Sequence, residues 1–135
     1  MDINSALDIS ARGMRAQTTR LRVIAENLAN QDTTGSTPTS EPYRRKTVTF
    51  ANALDRASGN NLVSVKQIGR DKGEYPLRYD PSHPAADRNG YVRTPNINPM
   101  IEIMDMREAQ HSYSANLAVM QVARSMITRT IEMLK

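Results

Sequence analysis

Few residues in this chain have side chains suited to chemistry, and their spacing argues against it. His83 lies in Asp80-Pro81-Ser82-His83-Pro84-Ala85-Ala86-Asp87, where two carboxylates and an imidazole could in principle ligate a metal ion. That spacing, inside a proline-rich loop, supplies no geometric reason for a site. His111, near Glu108 in a helical stretch, reads as a polar-face residue. Two distant histidines and no cysteine argue against a nucleophilic triad. The lack of cysteine also rules out disulfides and thiolate metal ligands. No serine sits in a G-x-S-x-G context, and neither glycine-rich phosphate motif is present. The expectation is no catalytic residue, no cofactor and no metal, which makes an enzyme the most distant of three classes.

A second class, a small basic nucleic-acid-binding or helical adaptor module, is suggested by Arg44-Arg45-Lys46. The net charge of +4 divides as +1 in residues 1–30, +3 in 31–96 and 0 in 97–135. Seven acids dilute the basic middle and few aromatics back it, so a stacking platform is weakly supported. A solvated loop, or contacts to acidic neighbours within the chain, accounts for the run better. Neither nucleic acid nor a small-molecule substrate is expected as a partner.

The elements that must position these residues follow from the apolar pattern. A chain of 135 residues predicts one domain. Leu, Ile, Val and Phe together number only 25, which predicts a thin core. Val, Ile, Leu and Met number 9 in residues 1–30, 8 in 31–96 and 15 in 97–135. Of 13 glycines and prolines, 12 fall from Gly35 to Pro99. Two helical ends therefore flank a breaker-rich middle. No apolar run approaches the ~18 residues of a membrane span, so no membrane insertion is expected. The opening Met1-Asp2-Ile3-Asn4-Ser5 lacks the basic start and apolar stretch of a cleaved signal peptide.

The first helix is expected from about Asn4 to Asn30, with Ser5 and Asp8 as a capping box or Asp2 or Asn4 as the cap. Leu7, Met14, Leu21 and Leu28 recur every seven residues, flanked by Ser10, Gln17 and Ile24. A seven-residue repeat keeps one seam toward a neighbouring helix. Asn27 and Asn30 carry amides that can bond backbone groups where this helix ends, and Asn30 could also take a left-handed C-terminal conformation. The second helix should start at an Asn98 cap with Pro99 in first position. Glu102 and Asp105 would lie near the positive end of its dipole, and Arg129 and Lys135 near the negative end. Met106, Tyr113, Met120, Ile127 and Leu134 form one heptad stripe; Val119, Met126 and Met133 form another about 100° around. That apolar surface is wider than one partner helix covers. These nine stripe residues, Leu7 through Leu134, are the candidate assembly seam. In the middle, residues 45–50, 62–68 and 75–79 read as strands, and 33–42 and 80–98 as extended loops. The expected fold is mainly α: long terminal helices packed as an antiparallel coiled-coil-like pair, around a small β-containing segment.

The end of the first helix reads Glu26-Asn27-Leu28-Ala29-Asn30-Gln31-Asp32-Thr33-Thr34-Gly35, followed by Pro42-Tyr43-Arg44-Arg45. This resembles the signature of bacterial flagellar axial proteins, in which an N-x-A-N box and a Thr-Gly element precede a Tyr-Arg or Tyr-Lys pair. Asn89-Gly90-Tyr91-Val92-Arg93-Thr94-Pro95-Asn96-Ile97, the short middle and Ser112-Tyr113-Ser114-Ala115-Asn116 make the whole chain similar to the basal-body rod members of that family. The spacer from Gly35 to Tyr43 is longer than the compact Thr-x-Gly-Tyr form of longer axial relatives. The motif residues on this reading are Asn27, Leu28, Ala29, Asn30, Thr34, Gly35, Tyr43 and Arg44. The resemblance implies a structural subunit of the proximal rod, in which terminal helices (1–30 and 97–135) pack against each other and against neighbours in a helical tube. The middle, 31–96, would face outward. It implies other copies and neighbouring rod subunits as partners, export unfolded through the flagellar type III apparatus, and a torque-transmitting role across the periplasm. From the thin core, the helical ends of a free chain are expected to be largely disordered until assembly.

Overall fold

The computed structural model describes residues 3–56 and 59–134. Helix α1 (Ile3–Ala29) leads to strands β1 (Lys46–Leu54), β2 (Asn61–Arg70), β3 (Leu77–Tyr79) and β4 (Tyr91–Arg93), and helix α2 (Pro99–Met133) closes the chain. Two helices therefore flank a small antiparallel β middle, the coarse architecture expected.

α1 meets no proline and a single glycine, Gly13, along its length. The expected capping box does not form: α1 is already helical at Ile3, which places Ser5 and Asp8 inside it. Asp8 instead pairs with Arg12 one turn on, at 3.6 Å. Of the two alternative caps, Asn4 is within the helix and Asp2 lies outside the described residues. At the other end, no described non-glycine residue has a positive φ, so Asn30 does not take the left-handed conformation. The other expectation, an amide that bonds backbone where the helix ends, is met. The Asn30 N–H forks to the carbonyls of Glu26 and Asn27, both at 3.2 Å, and its side-chain amide donates to Glu26 O at 2.8 Å. Those carbonyls would otherwise be orphaned.

α2 begins as expected. Asn98 Oδ1 accepts the Met100 N–H at 3.1 Å and its carbonyl accepts Glu102 N–H at 3.1 Å, with Pro99 in first position. The basic C-terminal end is not found. α2 continues to Met133, a full turn past Arg129, and its last turn holds no basic residue; Lys135 lies outside the described residues.

β1 and β2 are neighbours in one two-stranded sheet, closed by Asp55 N–H on Asn60 O at 2.9 Å. Both strands run longer than the alternation suggested. β3 and β4 form a second sheet, antiparallel, with Leu77 opposite Arg93, Arg78 opposite Val92 and Tyr79 opposite Tyr91. β4 lies in the 80–98 stretch expected as loop. Three residues are too short to show a period. The strand is set by the turn before it, where Gly90 has φ +84° and donates to Asp87 O at 3.0 Å. Asp87 Oδ1 accepts the N–H groups of Asn89 (2.8 Å) and Tyr91 (2.9 Å).

Contacts divide the chain into two units. One holds Met1–Leu21, Val48–Gln67 and Met106–Lys135; the other holds Arg22–Thr47 and Ile68–Asp105. In the first unit, the helical segments run antiparallel. Arg20 meets Glu108 at 3.2 Å, Gly13 lies against Asn116, and Ile3 and Ala6 lie across from Val122 and Met126. Its buried residues are small: Ser10, Ala16, Ala109 and Ala123, with Leu62 from β2. A Cβ on Gly13 would sit 2.9 Å from Asn116 Nδ2, so this approach uses the missing side chain. The second unit buries Val23, Ile24, Ala85 and Val92, together with two polar residues, Asn27 and Glu102.

Candidate assembly site

Within the second unit the end of α1, the start of β1 and the first turn of α2 meet around Asn27 and Glu102, each only 1% exposed. Asn27 falls on the face of α1 that carries Val23 and Ile24, which draws its amide inward. Lys46 opens β1. The Asn27 side chain treats it as a neighbouring strand would: Oδ1 accepts Lys46 N–H at 2.9 Å, and Nδ2 donates to Lys46 O at 2.9 Å. Asn27 Oδ1 also accepts the Tyr43 hydroxyl at 3.2 Å, and Nδ2 donates to Glu102 Oε2 at 3.2 Å. One amide thus makes four bonds, and no hydrogen-bonding capacity of a buried group is wasted.

Glu102 is a buried carboxylate, which requires a compensating charge. Arg45 supplies it through Nε–H, and its other nitrogens approach Asp71 at 3.6 Å and Asp105 at 3.7 Å. Burial works against the Arg45 charge. The hydrogen bond to Glu102, its charge, and those of Asp71 and Asp105 outweigh that and hold the guanidinium charged above its usual range. Burial pushes the Tyr43 phenol up. Lys46 Nζ meets Glu26 Oε2 at 2.7 Å, which holds Glu26 below the usual carboxylate value and raises Lys46.

The basic run therefore turns inward. Arg44 donates to Asp71 O at 2.8 Å and Gly73 O at 3.0 Å and lies 4.3 Å above the Tyr75 ring. With Arg45 on three carboxylates and Lys46 on Glu26, the run organises its own unit.

The remaining motif residues shape the segment after α1. Thr33 donates to Asn30 Oδ1 at 3.1 Å, and Tyr43 N–H to Thr33 O at 3.0 Å. Thr34 Oγ1 lies 3.0 Å from His83 Nε2, while His83 Nδ1 accepts Ala85 N–H at 3.0 Å. His83 thus fastens a loop, and no group of three or more metal-ligating side chains occurs among the described residues. A Cβ on Gly35 would fall 2.2 Å from Ser40 Oγ, so only glycine fits. Leu28 is half-buried and Ala29 exposed.

Of the nine stripe residues, Leu7, Met14, Leu21, Leu28, Met106, Tyr113, Met120 and Ile127 are half-buried, and Leu134 is 83% exposed. Met14 and Tyr113 line one cavity of the first unit; the deepest positions there are the small residues named above. Large apolar side chains remain on the surface of α2, among them Val119, Val122 and Met126, the last 54% exposed. These three, with Ile3 and Ala6, line an apolar groove of about 380 Å³. No described helix is long and apolar enough to cross a membrane.

Glu102 is the residue that sequence reasoning missed, being taken only as a dipole partner. The available signal was its place in the line Glu102, Ala109, Asn116 and Ala123, one residue every seven, in which apolar size was absent.

Comparison with known proteins gives a consistent result along the chain. Residues 7–36 match the family model described as flagella basal body rod protein, and residues 88–133 match the flagellar basal body rod FlgEFG protein C-terminal model. The flagellar basal-body rod protein FlgC of Agrobacterium fabrum is 50% identical over 98% of this chain and 96% of its own length. The FlgC proteins of Aquifex aeolicus and Bacillus subtilis are 41% and 36% identical, covering 98% and 94% of this chain and 97% and 95% of their own lengths.

Proposed function

The chain belongs to the FlgC family of flagellar basal-body rod proteins, structural proteins and not enzymes, and from that membership we infer how it works as a rod subunit. Its terminal segments, 1–30 and 97–135, form the assembly core, packed as a coiled-coil-like antiparallel pair and against neighbouring subunits. Residues 31–96 face outward. The partners are further copies and other rod subunits in a helical tube that carries torque across the periplasm. The subunit reaches the rod through the flagellar type III apparatus.

One observation carries this reading. In the first unit the most buried helix residues are Ser10, Ala16, Ala109 and Ala123, while several large apolar side chains of α2, among them Val119, Val122 and Met126, line an open groove and stay exposed. A monomeric protein rarely leaves such side chains contiguous at its surface. Small residues bring two helices close, and the outward Val119, Val122 and Met126 are then available to other subunits. Methionine adapts its shape to non-identical neighbours.

The second unit is proposed to hold its fold in the free chain through the Asn27–Glu102–Arg45 network. The helical ends of the first unit become fully ordered on joining the rod, where neighbours supply the missing apolar cover. Such coupled folding suppresses premature polymerisation. The test is to express the chain in cells lacking their own copy and to purify basal bodies. Wild type restores rods, and Leu21→Asp and Met120→Asp do not. Normal rods from both variants would refute the seam assignment.

A further inference from the structure

Arg12, Arg15, Ala16 and Thr19 follow the i, i+3, i+4, i+7 spacing of one helix face. In the first unit this face of α1 meets β2 around Val63 and Val65 and borders an open cavity of about 170 Å³. The four arginines of α1 differ in their partners. Arg20 holds Glu108 at 3.2 Å, and Arg22 lies in the field of Glu26. Among the described residues Arg12 pairs only with Asp8, at 3.6 Å on an exposed surface, a pairing that is weak and easily exchanged. Arg15 makes no ion pair with any described residue. The cavity thus has an apolar wall, from Ala16, Val63 and Val65, and a lining that includes two guanidinium-bearing side chains, one of them without a carboxylate.

A free inorganic anion would use the guanidinium groups and leave the apolar wall against water. A carboxylate at the end of a short hydrocarbon stem uses both. We propose that this cavity receives the side chain of a glutamate or aspartate from an adjacent rod subunit, its methylenes against Ala16, Val63 and Val65 and its carboxylate between Arg12 and Arg15. The proposal rests on the rod-subunit reading above. Guanidinium suits the role because its planar donors match a carboxylate in pairs, which a lysine ammonium does not. Cover from the neighbouring subunit would remove the pair from the screening that makes surface ion pairs weak. The contact would fix the register of α1 against its neighbour, which an apolar seam alone specifies poorly.

The experiment expresses wild type, Arg15→Lys, Arg15→Gln and Arg15→Glu in cells lacking their own copy and counts rods in purified basal bodies. The urea midpoint of each purified chain is measured alongside, with and without inorganic phosphate. The expected result is a loss of rods of at least about tenfold for Arg15→Glu, a smaller loss for Arg15→Gln and a smaller one again for Arg15→Lys. The urea midpoints stay together, because Arg15 has no carboxylate partner among the described residues. Rods at wild-type number from Arg15→Glu would overturn the proposal. So would a loss matched by a fall in the urea midpoint, which would make Arg15 a folding residue. A wild-type midpoint raised by phosphate, and not in Arg15→Glu, would replace the side chain with a free anion. Failure of the wild-type chain to restore rods would overturn the rod reading and the occupant with it.

Discussion

Replacing Asn27 by alanine removes four hydrogen bonds at once. Two of them pair the Lys46 N–H and carbonyl, one takes the Tyr43 hydroxyl and one donates to the buried Glu102 carboxylate. A neutral bond contributes about 1 kcal/mol and one to a charged group about 1.5–3 kcal/mol, and a buried partner left unpaired adds its own desolvation cost. Truncation should therefore destabilise the second unit by about 4–6 kcal/mol, out of a typical total of about 5–15 kcal/mol. Four of the five tyrosines, Tyr43, Tyr75, Tyr79 and Tyr91, lie in that unit, so urea unfolding followed by tyrosine near-ultraviolet circular dichroism reports on it. With a slope of about 2 kcal/mol per molar urea, the midpoint should fall by about 2–3 M. Hydrogen exchange at the Lys46 amide should accelerate in step. Asn27→Asp keeps the acceptor but loses both donors and sets a second carboxylate beside Glu102, so it should do no better. A midpoint within about 0.5 M of wild type, roughly 1 kcal/mol, would refute the assignment of Asn27 as the organiser of this junction.

Other perturbations test separate contacts. Glu102→Gln leaves Arg45 half-buried against a neutral partner; breaking a buried pair in this way should cost about 3–5 kcal/mol by the same urea assay. Gly35→Ala forces a Cβ into Ser40 and should lower the thermal midpoint, whereas Gly35→Ala with Ser40→Gly should recover part of it. Gly13→Val overpacks the contact with Asn116 and should destabilise the first unit by about 1–3 kcal/mol, read in basal bodies as reduced rod number. Glu26 is held below its usual value and Lys46 above. The stabilisation from Glu26 is present above the unfolded carboxylate value and lost as pH falls through the lower folded value. That from Lys46 is present below the unfolded lysine value and lost as pH rises through the higher folded one. Glu26→Gln should accordingly flatten the acid limb of the stability–pH curve, measured by urea midpoints from acid to neutral pH.

How far the sequence could be read depends on what set each element. The helices were legible because breakers are absent from 14–34 and 100–135 and the apolar residues recur at helical spacing. Asn98 and Pro99 marked a start because both act locally. Ser5 and Asp8 misled because a capping pattern counts only at a helix end, and α1 is already helical at Ile3. Of the two readings of Asn30, the amide bonding backbone at the helix end holds, through Glu26 O, and the left-handed backbone does not. β4 was hidden because its pairing with β3 depends on a turn at Asp87–Gly90 rather than on its own three residues. The motif asparagine Asn27 was legible as a helix-end amide, but its role as a surrogate strand for Lys46 depends on a chain segment 19 residues away. Arg45 and Glu102 are 57 residues apart, and their pairing has no local signature.

The central claim is that the helical ends are completed by neighbours. Far-ultraviolet circular dichroism of the purified chain over a concentration series, with negative-stain microscopy of the same samples, tests it most directly. The account predicts partial helicity in the dilute chain, rising as ordered oligomers or filaments appear, while the tyrosine signal of the second unit stays constant. Full helicity at every dilution, with no assembly, would contradict it and make the two helices and the middle self-sufficient.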